Sequence, residues 1–297
     1  MTTQLLALLI LSSCLHAAWN LAGRKWRGVS DFLWGVGVWT GIWAITAFPF
    51  AVHSLQWQPT LILCAVASGT ALGGYMFFVE RAYRTGDISL VYPLIRSSPL
   101  WVSLLSVLFF GETLSPAAWG GVLCATLGVC VLPLRSLHPK AAVSLAPSVG
   151  RTGILFALAA SFCTCVYSLS DKVAMELAAT GVLAGAGLVG VSWPLGLFVW
   201  AGLHRNGRRG FHWRTLTVPP VSLWQMALYG LCSYLAYTIV IGVMIHAGAG
   251  RVLAVTNLGV VLGALGGILF FGERERALPR LLGLGLVVTG IILLRLF

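Results

Sequence analysis

Ten apolar runs follow one another along this chain, at about 4–22, 31–52, 60–82, 88–110, 115–134, 152–171, 179–203, 221–245, 250–271 and 279–296. A helix needs about 20 apolar residues to cross a hydrocarbon core about 30 Å thick. Inside lipid no water satisfies the peptide groups, so runs like these must cross as helices that bond their own backbone. Composition agrees, with 58% apolar residues and 9% charged, where a soluble domain carries about 25% charged. The sequence therefore predicts an all-α integral membrane protein of ten transmembrane helices. Its surroundings are a lipid bilayer, taken here as the cell (inner) membrane, which it crosses many times. The N-terminus has no basic stretch and no separate cleavage motif, so the first run is expected to be a membrane helix and not a removable signal.

The net charge of +11 would suggest nucleic acid in a soluble chain. Here the basic residues sit in short connections, where membrane orientation explains them and no nucleic acid partner is expected. Fifteen Lys and Arg fall in the connections after the first, third, fifth, seventh and ninth runs. Three, Lys172, Arg251 and Arg295, fall on the other side. The positive-inside rule then places the fifteen in the cytoplasm and both termini outside. The seven cysteines all lie within apolar runs and read as small buried hydrophobes.

The chain also repeats itself. Leu108-Phe109-Phe110-Gly111-Glu112 recurs as Leu269-Phe270-Phe271-Gly272-Glu273, and the helix after each copy carries matching glycines, Gly121 and Gly128, then Gly283 and Gly290. His16, Trp19 and Asn20 fall opposite Thr164, Tyr167 and Ser168, and Arg96 falls opposite Asn257. The Pro- and Ser-containing stretch from Arg135 to Gly150 separates the halves, giving residues 1–140 and 141–297 as two five-helix repeats. Five is odd, so the second repeat must enter the membrane inverted. Inverted repeats mark transporters whose substrate site lies at the repeat interface near the midplane.

The fourth run holds the strongest chemical signal. Tyr92, Arg96, Pro99, Ser103 and Ser106 recur at steps of three and four and form one polar stripe. A charge at this depth is costly and faces a bundle interior or a wet cavity. Pro93 and Pro99 bracket Arg96, and helices broken by proline are tolerated where they line protein or a cavity. Arg96 therefore has two readings. Its guanidinium holds a carboxylate or phosphate of a substrate, or it pairs with Glu80 at about the same depth. Glu80 has a further partner in Arg84, four residues on, and is the coupling candidate should transport be driven by protons. His16, Trp19 and Asn20 share one helix face, with Thr164, Tyr167 and Ser168 as the similar set in the repeat, and Asn257 is the neutral counterpart of Arg96. Trp19, Tyr75, Tyr92, Tyr167 and Tyr237 supply an aromatic lining of the kind that holds flat or cationic groups. Trp34, Trp39 and Trp43 read as packing or interface residues. Gly259, Gly263 and Gly267, like Gly69 and Gly73, read as close-packing faces. Glu112 and Glu273 precede helix starts and read as structural, with Ser115 as an N-cap ahead of Pro116.

The duplicated Phe-Gly-Glu joints at Glu112 and Glu273, with Ala82-Tyr83-Arg84-Thr85-Gly86-Asp87-Ile88-Ser89-Leu90-Val91-Tyr92-Pro93 and His16-Ala17-Ala18-Trp19-Asn20, carry a resemblance to the drug/metabolite transporter superfamily, specifically its EamA-type members. The resemblance covers nearly the whole chain. It implies a basket of ten helices in which spans 1, 3, 4, 6, 8 and 9 line a central cavity. It implies termini in the cytoplasm, opposite to the charge count. It does not name the substrate.

The leading expectation is a secondary transporter of a small polar or amphipathic metabolite, an amino acid or organic acid exporter being one form. A monomer is expected, with a homodimer also open. An intramembrane enzyme acting on a lipid phosphate is the second reading. It is disfavoured because the eight acids do not cluster and no His-Glu-x-x-His or paired-aspartate motif is present. No catalytic residues, metal or cofactor are expected, and no Walker loop is present to drive transport with ATP. A scaffold or accessory subunit is the third reading, and it has no need of cavity-facing polar stripes.

Overall fold

A computed structural model describes residues 1–25, 29–85, 88–131, 151–178, 182–205, 221–271 and 277–296. Among these the fold is all-helical. The helices are α1 (Thr3–Lys25), α2 (Val29–Ala51), α3 (Pro59–Thr85), α4 (Ile88–Arg96), α5 (Ser98–Phe110), α6 (Pro116–Val131), α7 (Arg151–Leu177), α8 (Val182–Arg205), α9 (Leu223–Ala247), α10 (Ala249–Phe271) and α11 (Ala277–Leu296). A short 3-10 turn, Val52–Ser54, follows α2. Eight of the helices are long and apolar enough to cross a membrane. Two further apolar stretches are shorter, Leu94–Phe110 and Pro116–Val131. The second copy of the Gly-Glu joint, Gly272-Glu273, and the boundary between residues 140 and 141 lie outside the described residues.

The fourth run is two helices rather than one, as its prolines suggested. α4 ends at Arg96 and α5 begins at Ser98 with a proline in its first turn. Ser97 turns the chain, its hydroxyl donating to the Leu94 carbonyl at 2.8 Å and accepting from the Trp101 indole at 3.3 Å. Pro99 has no N–H to continue the ladder. Arg96 is therefore the last residue of a short helix and not the middle of a long one.

The surface is inverted relative to a soluble protein. Phe50 and Trp224 are 80% and 84% exposed, and Leu108, Phe198 and Leu269 are exposed as well. Such side chains suit contact with lipid, where exposure of apolar surface costs nothing. The interior instead collects polar groups, including Ser68, Glu80, Asp171, Lys172 and Asn257. In a membrane, helix association draws on close packing and interhelical hydrogen bonds, and both are present. The Trp43 indole donates to the Ala227 carbonyl at 2.9 Å, joining α2 to α9. The Trp193 indole donates to the Gly37 carbonyl at 3.0 Å, joining α8 to α2. Trp34 stacks on Trp200 at 4.0 Å, so the tryptophans of α2 are packing residues.

The packing scheme is cross-linked between the two parts of the chain. α3 lies chiefly against α7 and α8, while α1 lies against α9 and α10, and α2 against α8 and α9. The tightest pairing apart from α3–α7 is α6 with α11. There the repeated glycines face each other. A methyl added to Gly290 would lie 2.6 Å from the Gly121 carbonyl oxygen, and one on Gly128 would lie 2.7 Å from the Gly283 carbonyl oxygen. The α3 glycines also pack closely, since a methyl on Gly73 would meet the Gly196 carbonyl oxygen at 2.5 Å. On α10 the expected glycine face is only partly one. Gly259 approaches the Ser13 backbone, but Gly263 has open space beside it.

The first Gly-Glu joint differs from its sequence reading in its partner. Gly111 caps α5 at φ 64, a left-handed conformation that glycine adopts freely. Glu112 then turns its carboxylate to Lys172 on α7, not to the start of α6. The cap of α6 is Ser115, whose hydroxyl accepts the Ala118 N–H at 3.1 Å. Lys172 was counted among connecting residues on the less basic side. It lies instead inside α7, which runs on to Leu177, and is 5% exposed.

Candidate functional site

α1, α2, α3, α8, α9 and α10 surround a cavity of about 250 Å³, with Arg96 from the end of α4 and Tyr167 from α7. Its wall includes Asn20 near the end of α1, Leu33 near the start of α2, and Tyr83 and Trp200 near the ends of α3 and α8. These ends share one face of the bundle. The opposite face holds the ends of α5, α7 and α9, and there the chain is tied together. Lys172 pairs with Glu112 and with Glu176 at 3.4 Å, and its ammonium sits 5.2 Å from the Phe110 ring. The Glu112 carboxylate lies beside Gly248, the residue at φ 75 that links α9 to α10. The cavity is therefore reached from one face, and an ionic cluster sits toward the other.

Seven of the sequence candidates line the cavity: His16, Trp19, Asn20, Tyr75, Arg96, Tyr167 and Tyr237. They arrive in one place because of helix periodicity. His16 and Trp19 meet edge to face at 5.0 Å, and the Asn20 amide donates to the His16 carbonyl at 2.7 Å. Tyr167 contacts both Tyr75 and Tyr237, at centroid distances of 5.9 and 6.2 Å, and Trp193 lies 5.5 Å from Tyr237. Both are ordinary edge-to-face separations.

Arg96 is half-buried among tyrosines. Its guanidinium lies 5.7 Å from the Tyr92 ring centroid, and Tyr75, Tyr83 and Tyr167 surround it. No carboxylate among the described residues pairs with it. Glu80 instead forms an ion pair with Arg84 on the same helix and is not among the residues lining the cavity. Arg96 also opens onto a smaller recess of about 40 Å³, shared with Thr164, Thr256 and Asn257, room for one or two waters. Asn257 is 2% exposed, and its amide nitrogen has no hydrogen-bond partner. So the two residues at matching places in the repeat do converge, at the recess and not in the main cavity.

Besides Glu80 and Asn257, two further candidates lie off the cavity. Tyr92 supports Arg96 from its own helix, and Ser168 is fully buried without a partner for its hydroxyl. Others were missed. Trp193, Trp200, Ser12, Ser13, Ser233 and Tyr83 also line the cavity. Ser233 and Tyr237 are four residues apart on α9, so helical periodicity counted back from Tyr237 would have found it. Asp171 is fully buried and accepts the Tyr237 hydroxyl at 2.7 Å. It was overlooked because the sixth run was ended at residue 171, which made this acid look like a connecting residue.

The arrangement combines a half-buried guanidinium, without a carboxylate partner among the described residues, with an aromatic chamber. A guanidinium offers five donors in a planar fork that fits a carboxylate or phosphate. The wall around it is aromatic and weakly polar. No group of three or more His, Cys, Asp or Glu suited to a metal occurs among the described residues.

Comparison with known proteins follows the same line. A search of the curated proteins finds no match. Among solved structures that match is one described only as "Crystal structure of protein", 20% identical over 100% of this chain and 99% of that one, with a TM-score of 0.70. That likeness shows a shared fold. The model of the EamA-like transporter family matches residues 4–133. The chain is thus a multi-pass membrane protein whose residues 4–133 match the model of the EamA-like transporter family.

Proposed function

We propose that the chain is a secondary transporter that carries a small metabolite with an anionic end and an uncharged or aromatic-compatible body, such as an amino acid or organic acid, through the cavity by alternating access. The observation that carries this reading is Arg96, a half-buried guanidinium at the edge of an aromatic chamber, without a carboxylate partner among the described residues. A buried charge without a counter-ion is costly, and a substrate carboxylate or phosphate supplies the missing partner. Tyr75, Tyr167, Trp193 and Tyr237 then enclose the rest of the molecule.

The same reading takes the chain as ten spans in two inverted five-helix repeats, residues 1–140 and 141–297. Two facts support it. α3 packs on α7 as α1 packs on α9 and α10, and the matching glycines of α6 and α11 meet as Gly121 with Gly290 and Gly128 with Gly283. Antiparallel exchange of this kind is what a twofold axis in the membrane plane produces. We take the membrane to be the cell membrane and keep the orientation given by the basic residues, termini outside. With Lys172 inside a helix, Arg251 and Arg295 are the basic residues left on the outer side. A C-terminal phosphatase fusion should be active and a C-terminal GFP fusion dark. The reverse pattern overturns this orientation.

The test of transport is counterflow in proteoliposomes preloaded with an unlabelled mixture of amino acids and dicarboxylates, with the same mixture labelled outside. Transient accumulation of label is expected, and it should be abolished by Arg96→Gln. Absence of counterflow in the wild type with every component of the mixture would overturn the substrate class.

A further inference from the structure

Among the described residues Asp171 is the acid held by a residue of the cavity wall, Tyr237, and the site described above does not use it. It lies one turn beyond Tyr167 on α7, about 6 Å farther from the cavity's open face. It stands between the chamber and the Lys172–Glu112 cluster. Its carboxylate is 0% exposed. Oδ2 accepts the Tyr237 hydroxyl at 2.7 Å, and Oδ1 has no hydrogen-bond partner. The Ser68 hydroxyl of α3 faces the same carboxylate, and its oxygen is also without a hydrogen-bond partner.

The surrounding groups leave the carboxylate without a counter-ion. α9 presents Tyr237, and α3 presents Ser68 and Cys64. On α7 itself Tyr167 is one turn away, and the neighbouring Lys172 directs its ammonium to Glu112 and Glu176. α4 brings Arg96, which is held among the tyrosines. α10 brings Arg251, near the α9–α10 turn. α5 has no ionisable residue, and α8 has only His204 and Arg205 at its far end beyond cysteine-free apolar sequence. A carboxylate buried among neutral groups is costly while charged. As a carboxylic acid it gains a donor, and an O–H on Oδ1 has an acceptor waiting in Ser68 Oγ. The proton comes from the aqueous side of the cavity and returns to water, with no other bond made or broken.

We propose that Asp171, with Ser68 and Tyr237, is a proton-binding site that couples transport to a proton gradient. This names the coupling ion for the transport reading and rests on it. Tyr237 is the connection, since its ring lines the cavity while its hydroxyl holds Asp171. A molecule in the cavity that moves Tyr237 changes the partner of the carboxylate, and so its affinity for the proton. The four side-chain oxygens here, two from Asp171 and one each from Ser68 and Tyr237, fall short of the roughly six to eight that a hard cation such as calcium collects.

The test has two arms. Infrared difference spectra of the reconstituted wild type, taken across a pH titration, should show a protonated-carboxyl band. That band should vanish in Asp171→Asn, persist in Glu80→Gln and shift in frequency in Ser68→Ala. Ser68→Ala keeps the acid and serves should Asp171→Asn fail to fold. In proteoliposomes, Asp171→Asn should lose accumulation of the labelled amino acid and dicarboxylate mixture driven by a pH gradient while keeping counterflow. A band that survives Asp171→Asn, a band indifferent to Ser68→Ala, or accumulation that follows a sodium gradient without a pH gradient would each overturn the proposal. The spectroscopic arm needs no substrate, so a failure of counterflow alone counts against the transport reading and leaves the proton site to be decided by its band.

Discussion

The fourth and ninth runs of the chain are built from matching sequence and end up as different objects. The fourth is broken at Ser97 into α4 and α5 and delivers a cation, Arg96. The ninth is the unbroken α10 and delivers a neutral amide, Asn257, to the same recess. Two prolines account for the backbone difference, since α10 has none. The break ends α4 at Arg96, so the side chain leaves from a helix terminus into the space between helices. On the repeat reading proposed above, the repeat supplies the shared frame and departures from it supply the chemistry. A site with one positive pole distinguishes the two ends of its ligand, which two identical halves would not.

The comparison is broken most directly at Arg96. Removing a buried charge-assisted contact typically costs about 2–5 kcal/mol, which is tens- to thousands-fold in affinity. Arg96→Gln should lose anionic-ligand binding by such a factor with little change in melting temperature. Arg96→Lys should restore only part of it, because a point charge does not reproduce the fork. Calorimetry and thermal melting on the same purified variants check both. A variant that keeps wild-type affinity but melts early would assign Arg96 to structure. The next effect is at Lys172, which ties the end of α5 to the end of α7 through Glu112. Breaking a buried ion pair costs about 3–5 kcal/mol, less where the partner is partly exposed, as Glu112 is. Lys172→Met should lower the melting temperature clearly and raise the rate of deuterium labelling of the Gly248 amide. Unchanged labelling would show that the cluster does not close that face. The smallest effect belongs to the neutral member. Asn257→Ala removes one amide contact, worth about 1 kcal/mol, and should weaken binding several-fold. A loss equal to that of Arg96→Gln would mean that the two halves contribute alike.

Much of this was written in the residues. Apolar runs fixed the class, and steps of three and four placed His16, Trp19, Tyr75, Arg96, Tyr167 and Tyr237 on the faces that form the cavity. What escaped has a common cause, the ends of helices. Hydropathy fades at Asp171 and Lys172, so the sixth helix looked finished there, while the folded chain buries both residues and continues to Leu177. Burial of a charge depends on partners brought from other helices, here Glu112 and Tyr237, and no local pattern reports them. Glu80 shows the opposite error. Its depth suggested a meeting with Arg96, but Arg84 is one turn away on its own helix and forms an ion pair with it.

The glycine seam between α6 and α11 bears on which parts of the molecule move. Each backbone there sits within a methyl's width of the other, at Gly121 against Gly290 and at Gly128 against Gly283. Sliding this pair by even one residue would bring Leu127, Val129 or their neighbours onto a backbone that has no room for a side chain. The two helices therefore form a keel fixed along its length, and on the transport reading the hull around it is what rocks. A crosslink across the keel should leave turnover intact, whereas one between α1 and α9 or between α3 and α7 should stop it.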